Sequence, residues 1–213
     1  MNYIILCGGS YPKWETPRQL IKINNETIVE RTIRLLTEAG ISKEDIMISS
    51  NDPRFSNFDV QVIHHNNSFV SFQSGYWVDA FPQTNFPACY IFGDVVFSPA
   101  AIQTIVTTEV KDIEFFASSQ ALDKQYIKTW AEPFAFKVEN FNHFYTSINK
   151  VKELHNQGAF KRHPIAWELW QVIKETPINQ IVYDNYVAIN DYTCDIDDEK
   201  DIKLMQEVIA NNG

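Results

Sequence analysis

Tyr3-Ile4-Ile5-Leu6-Cys7-Gly8-Gly9-Ser10 opens the chain, with Lys13, Pro17-Arg18-Gln19-Leu20 and a run from Thr27 to Gly40 behind it. Residues 3–6 are apolar and β-favouring and meet a glycine pair, so they read as a buried strand that stops at a turn. After Thr27, apolar residues recur at Ile28, Ile33, Leu35, Leu36 and Ala39. Thr27 followed three residues later by Glu30 is a helix-capping signature, and Gly40 supplies the stop. Between strand and helix lies a polar loop carrying Gly8-Gly9, Lys13 and Arg18. Glycine admits a close backbone approach, and loop N–H groups with two cations suit a polyphosphate. An ordinary strand–loop–helix with surface cations carries the same local signature, so the rest of the chain has to decide between them.

Moving outward, strands and helices alternate. Residues 45–50 (DIMISS) and 60–65 (VQVIHH) read as strands, and Asn51-Asp52-Pro53 as the turn between them. Residues 71–81 have a helical pattern that Pro82 stops. Residues 89–97 (CYIFGDVVF) are the most strand-like segment, interrupted by Gly93-Asp94. Ser98 as cap and Pro99 at the first helical position open a helix through Thr107. Residues 112–118 and 134–138 read as strands, 140–156 and 164–175 as helices, 187–195 as a strand, and 198–209 as a closing amphipathic helix. This order predicts an α/β fold: a single-domain Rossmann-like sandwich over residues 1–213 with a mixed, mostly parallel central sheet flanked by helices. Residues 66–68 and 123–128 read as long loops, and polarity makes 123–132 and 158–163 lid candidates.

At 213 residues, the chain is long enough to bury a sizeable core. Its formal charge of −9 argues against a nucleic-acid or anionic-membrane surface, which needs a basic face. No segment approaches the roughly 20 apolar residues that span a bilayer. Met1-Asn2 runs straight into the first strand without a leader pattern. Cys7, Cys89 and Cys194 lack metal-type spacing and sit in strand-like runs, which fits buried reduced thiols and a cytoplasmic protein.

Three acids stand out. Asp94 ends an apolar strand, where an unpartnered carboxylate is costly. Asp195 and Asp197 lie two apart in an extended segment and so face the same way. In α/β sheets, ligands sit beyond the carboxyl ends of the strands. Carboxylates converging there on a polyphosphate would hold Mg²⁺, a hard cation that takes oxygen ligands. The plainer readings are a turn residue at Asp94 and an N-cap cluster at 195–198, with Asp198 the cap. His64, His65, His143, His155 and His163 form no metal or catalytic motif, and no serine lies in a nucleophile elbow. Trp130, Phe134, Phe136, Trp167, Trp170 and Tyr183 suit either core packing or an aromatic pocket.

Together these segments resemble the nucleotidyltransferase family with a GT-A-like fold, which includes sugar-phosphate nucleotidylyltransferases, molybdenum-cofactor guanylyltransferase-like proteins and cytidylyltransferases. Ile4-Ile5-Leu6-Cys7-Gly8-Gly9 resembles its opening strand and loop. Pro17-Arg18-Gln19-Leu20 stands where the family has Pro-Lys-x-Leu, and residues 24–29 follow as its usual next stretch. Phe92-Gly93-Asp94-Val95 resembles its Gly-Asp metal motif, and residues 195–202 its closing Asp-Ile-Asp-x-x-Glu-Asp-Leu. Ser71-Phe72-Gln73-Ser74-Gly75 resembles the helix start that faces the base in some cytidylyltransferases. Two departures are visible. The loop after Gly9 is short and lacks the usual Gly-x-Arg, so Lys13 takes that arginine's place. Arg18 replaces the usual lysine, with different geometry toward phosphate.

The resemblance implies transfer of an NMP group, with CTP favoured, from a nucleoside triphosphate to a phosphorylated small molecule such as a sugar phosphate or phosphocholine-like compound. Pyrophosphate would leave. It implies Lys13, Arg18 and Asp94 as catalytic residues. Leu6, Cys7, Gly8, Gly9, Ser10, Ser71, Gln73 and Gly75 would bind nucleotide, and Asp94, Asp195 and Asp197 would hold Mg²⁺. Residues of about 120–185 would form the second-substrate or lid elaboration. The alternatives are a GT-A glycosyltransferase using an NDP-sugar and a catalytically weak nucleotide-binding relative. Glycosyltransferases usually carry Asp-x-Asp where this chain has Gly93-Asp94-Val95.

Overall fold

The computed structural model describes residues 1–8, 14–64, 77–119 and 131–212. In it the opening apolar run becomes β1 (Asn2–Leu6), with Tyr3 to Leu6 all buried. A short hairpin, β2 (Lys22–Ile23) and β3 (Glu26–Thr27), turns at Asn24, which takes a left-handed φ of 59°. Helix α1 (Ile28–Glu38) starts on the expected box: Thr27 Oγ1 accepts from Glu30 N, and Glu30 Oε2 accepts from Thr27 N. Gly40 closes it at φ 92°, and Ile41 N donates back to Leu36 O, the bond pattern that a glycine after a helix permits. The buried face of α1 also includes Arg31 and Thr32, which apolar spacing did not indicate. Arg31 Nε donates to Phe97 O and Nη2 to Tyr192 OH, so its cost of burial is met by hydrogen bonds.

The chain continues through β4 (Ile46–Ser49), β5 (Gln61–Ile63), β6 (Ala88–Phe92) and β7 (Val95–Val96). Helix α2 (Pro99–Thr107) begins on Ser98, whose hydroxyl accepts from Ala101 N. Then come β8 (Ile113–Ala117), β9 (Pro133–Val138), α3 (Phe141–Asn156) and α4 (Ala166–Ile173). The last elements are β10 (Val187–Ala188), β11 (Cys194–Asp195) and α5 (Glu199–Asn212). The expected helix over 71–81 lies mostly outside the described residues, and its visible end, Trp77–Ala80, is a 3-10 turn. The loops expected at 66–68 and 123–128 also lie outside them.

One seven-stranded sheet, ordered β10-β8-β9-β6-β1-β4-β5, carries the core. Pairings are parallel except where β9 meets β6 and β8. The sheet is therefore mixed and mostly parallel, as the alternation of elements predicts. Residues 187–195 are not the single strand expected. Val187–Ala188 pairs with β8, whereas Cys194–Asp195 pairs with β7 in a separate two-stranded sheet. Asp191 makes the break: its Oδ1 accepts from Thr193 N, a local turn that leaves the main sheet.

Of the six aromatics, Trp130 lies outside the described residues, Tyr183 packs half-buried against the core, and the other four are core. Phe134, Phe136, Trp167 and Trp170 are all buried, and Phe115 stacks on Phe136 at 4.5 Å. Trp167 Nε1 donates to Ala131 O, which satisfies the buried indole. Cys7, Cys89 and Cys194 are buried cysteines outside any disulfide. No helix among the described residues is long and apolar enough to cross a membrane.

Candidate nucleotide and metal site

The chain leaves β1 in one direction across the sheet, toward β4 and β5, and reaches β6 on β1's other side. The gap between the carboxyl ends of β1 and β6 is thus a topological switch point, where open α/β sheets bind ligands. Cys7-Gly8 leaves β1 there and Gly93-Asp94 leaves β6. The two are tightly joined: Gly93 N donates to Leu6 O at 3.1 Å. A Cβ on Gly93 would lie 2.5 Å from Leu6 O, 2.9 Å from Cys7 Sγ and 3.1 Å from Gln19 Cγ. Only glycine permits this approach, and the approach sets Asp94 beside the opening turn.

The second acidic stretch is brought in by pairing. Antiparallel β7 and β11 set Cys194 opposite Val96 and Asp195 opposite Val95, and Ile196 N donates to Asp94 O at 3.0 Å. Ser98 pins the far end of this pair: its N–H donates to Thr193 Oγ1 and its hydroxyl bonds Asp191. Beneath lies a small apolar cluster of Ile23, Ile28, Val96, Cys194, Ile196 and Met205. It binds the β2–β3 hairpin, β7, β11 and α5 into one support. Asp198 caps α5 by accepting from Lys200 N and Asp201 N, the plainer role foreseen for it.

Arg18 completes the arrangement. Its backbone is held in a 3-10 turn (Arg18–Leu20), with Leu20 N donating to Pro17 O and Ile21 N to Arg18 O. Its Nη2 is 2.6 Å from Asp94 Oδ2 and its Nη1 is 2.9 Å from Asp197 Oδ1. Nη1 also donates to Ile196 O at 2.7 Å. Burial pushes the Asp94 carboxyl above its usual range; Arg18 draws it partly back, while Asp195 and Asp197 add to the rise. Burial also opposes the Arg18 charge, but Asp94, Asp197 and Asp195 outweigh it and hold Arg18 above its ordinary value. Burial raises the Cys7 thiol well above normal, with Asp94 adding to this, so Cys7 is a neutral packing group.

Arg18, Asp94, Asp195 and Asp197 are thus gathered at one edge, beside Leu6, Cys7 and Gly8. Gly9, Ser10, Lys13, Ser71, Gln73 and Gly75 lie outside the described residues. Gln19 carries no strong signal in the sequence. It is buried against Gly93, and its Oε1 finds no hydrogen-bond partner among the described residues. Only its place inside Pro17-Arg18-Gln19-Leu20 hinted at this position.

The donor chemistry suits a hard divalent cation, because two carboxylates converge and Mg²⁺ commonly takes one or two of them beside phosphate and water. No group of three or more His, Cys, Asp or Glu among the described residues is placed to hold a metal ion. Such an ion would therefore rest on Asp94, Asp197 and the phosphates of a bound nucleotide.

No protein-family model and no curated sequence matches the chain. Solved structures do. The CTP:phosphocholine cytidylyltransferase of Streptococcus pneumoniae aligns over 98% of both chains at 14% identity and TM-score 0.54. A Bacillus anthracis protein assigned as a glucose-1-phosphate thymidylyltransferase, solved with a sucrose, aligns over 97% of this chain and 94% of its own at 15% identity and TM-score 0.56. The chain shares the fold of these two structures. Rv0371c of Mycobacterium tuberculosis shares it over 97% of both chains, at 14% identity and TM-score 0.56. At these identities the nucleotidyltransferase likeness is one of architecture, and the argument for chemistry rests on the residues gathered at the switch point.

Proposed function

We propose that this chain is a Mg²⁺-dependent nucleotidyltransferase that moves an NMP group from a nucleoside triphosphate to a phosphorylated small molecule and releases pyrophosphate. The observation that carries the reading is the convergence of Asp94 and Asp197 on Arg18 at the β1–β6 switch point. A phosphate oxygen of the second substrate attacks the α-phosphorus in line. The new P–O bond forms as the bond to the bridging α–β oxygen breaks, and pyrophosphate carries away the electron pair.

The chain has little covalent work in this reaction. It positions two phosphates and neutralises developing charge. Leu6, Cys7, Gly8, Gly9 and Ser10 contact base and ribose. Lys13 and Arg18 bind the triphosphate or the attacking phosphate. Asp94 and Asp197, with Asp195 beside them, would hold the metal, which would supply Lewis-acid neutralisation of phosphate charge. CTP is the favoured donor, with Ser71, Gln73 and Gly75 at the base edge. Two things support this: the resemblance of residues 71–75 to cytidylyltransferases, and the presence of a CTP:phosphocholine cytidylyltransferase among the structures of the same fold. Residues of about 120–185 form the second-substrate side, and the cytoplasm is the expected compartment.

The test is pyrophosphate release with a panel of triphosphates against sugar phosphates and phosphocholine. Release that needs both substrates and vanishes in Asp94→Ala supports the reading. Consumption of an NDP-sugar without a triphosphate overturns it.

A further inference from the structure

Arg18 holds one oxygen of each carboxylate, Asp94 and Asp197, that the proposed function gives to a metal. Its two terminal nitrogens lie 2.6 Å from Asp94 Oδ2 and 2.9 Å from Asp197 Oδ1. Mg²⁺ binds oxygen at about 2.0–2.1 Å, closer than either nitrogen lies, so an ion on either of these two oxygens must displace the guanidinium from it. A divalent ion and a guanidinium on the same two oxygens would repel each other within a few ångströms in a partly buried site, where screening is weak. The occupancy is geometrically specific. A guanidinium fork reaches two carboxylates and the Ile196 carbonyl together, whereas a lysine ammonium is a single point charge.

The surroundings fix the backbone and leave the side chain its reach. The 3-10 turn, the buried Gln19 and the Ile21 N–H to Arg18 O bond hold the main chain. The Arg18 side chain itself is partly exposed, at 18%.

We infer that Arg18 is a resident counter-ion that keeps divalent cations off Asp94 and Asp197 in the free protein, and that a triphosphate opens the metal position by drawing the guanidinium onto its phosphates. The inference rests on the nucleotidyltransferase reading for the identity of the metal position. It adds an order of events: anion first, or anion and metal together, but not metal alone.

The test uses Mn²⁺ as the probe on the full chain without nucleotide, with free ion counted by electron paramagnetic resonance. Arg18→Gln should bind one Mn²⁺ at least about tenfold more tightly than wild type, since it removes a unit charge a few ångströms away. The gain should disappear in the double variant R18Q/D94N. Thermal melts give a second readout: Mn²⁺ should raise the Tm of Arg18→Gln more than that of wild type. If Arg18→Gln does not fold, Arg18→Lys takes its place and should also gain affinity, by a smaller factor, because one ammonium cannot hold both carboxylates. Equal or weaker Mn²⁺ binding in the variants overturns the gate. If wild type alone already binds Mn²⁺ as tightly as the variants, the gate falls while the two-carboxylate site stands. If no variant binds Mn²⁺, both fall.

Discussion

Gly93→Ala is the sharpest test of how the site is built. The new methyl would meet Leu6 O at 2.5 Å and Cys7 Sγ at 2.9 Å, with Gln19 Cγ at 3.1 Å. The first contact is with backbone inside a buried strand, so it cannot be relieved by a side-chain rotation. Gly93 does not have a left-handed φ, so the cost is one of space rather than of backbone conformation. Overpacking of this kind costs about 1–3 kcal/mol. Pushing the turn outward also strains or breaks the Gly93 N to Leu6 O bond, worth about 1 kcal/mol net. The sum is about 2–4 kcal/mol. At about 2–4 °C per kcal/mol for a chain of this size, Tm should fall by roughly 4–16 °C. The same displacement moves Asp94 from its place at the β1–β6 switch point, so pyrophosphate release should fall by about tenfold or more even where the variant is folded. Urea unfolding and a steady-state assay read the two effects separately. A Tm within about 2 °C of wild type together with normal turnover would refute the claim that close packing at Gly93 positions Asp94.

Other perturbations probe the frame and the chemistry. Asp197→Ala removes a half-exposed carboxylate and should lower kcat/KM by about a hundredfold or more with little change in the urea midpoint; near-normal turnover would remove Asp197 from the metal role. Lys137→Met should destabilise by about 2 kcal/mol in urea unfolding, because the buried Lys137 Nζ donates to Ile105 O, Val106 O and Thr108 O at the end of α2. Thr27→Ala should cost about 1 kcal/mol by removing the capping box of α1. Burial lowers the His163 pKa from 6.5, with His155 adding to it. A depressed folded value means that the unfolded chain takes up the proton first, so this group's contribution is full above 6.5 and is lost as pH falls through the folded value. His163→Gln should therefore flatten the stability–pH curve just below pH 6.5, and an unchanged slope would contradict the assignment.

Local signals carried far in this chain. Ser98-Pro99 marked the start of α2 to the residue, and Thr27, Glu30 and Gly40 marked both ends of α1. These are short-range hydrogen-bond patterns, readable wherever cap residues stand at the right spacing. Gly93-Asp94 was legible as a break between β6 and β7. What makes the glycine obligatory was not, because Leu6 and Cys7 lie almost ninety positions away. The same limit applies to Arg31, whose burial depends on the carbonyl of Phe97 and the hydroxyl of Tyr192. Residues 187–195 looked like one strand because periodicity does not record which partner each end finds, and here the partners are β8 and β7 in different sheets.

The candidate site divides in the same way. Asp94, Asp195 and Asp197 could be singled out as acids too costly to leave without partners at a strand end. That Arg18 would bridge two of them depends on the small cluster of Ile23, Ile28, Val96, Ile196 and Met205, which gathers four separate stretches of chain under one turn. Gln19 escaped notice because nothing in its neighbours' identity says that its amide is buried against Gly93.

The most direct test of the central claim is mass spectrometry of the reaction of the purified chain with CTP, a phosphorylated acceptor and Mg²⁺. The account predicts a new product whose mass is CMP joined to the acceptor phosphate through a diphosphate, formed one-for-one with pyrophosphate and absent in Asp94→Ala. Across a panel of all common triphosphates and of sugar and alcohol phosphates, nucleotide binding without any such product would contradict it.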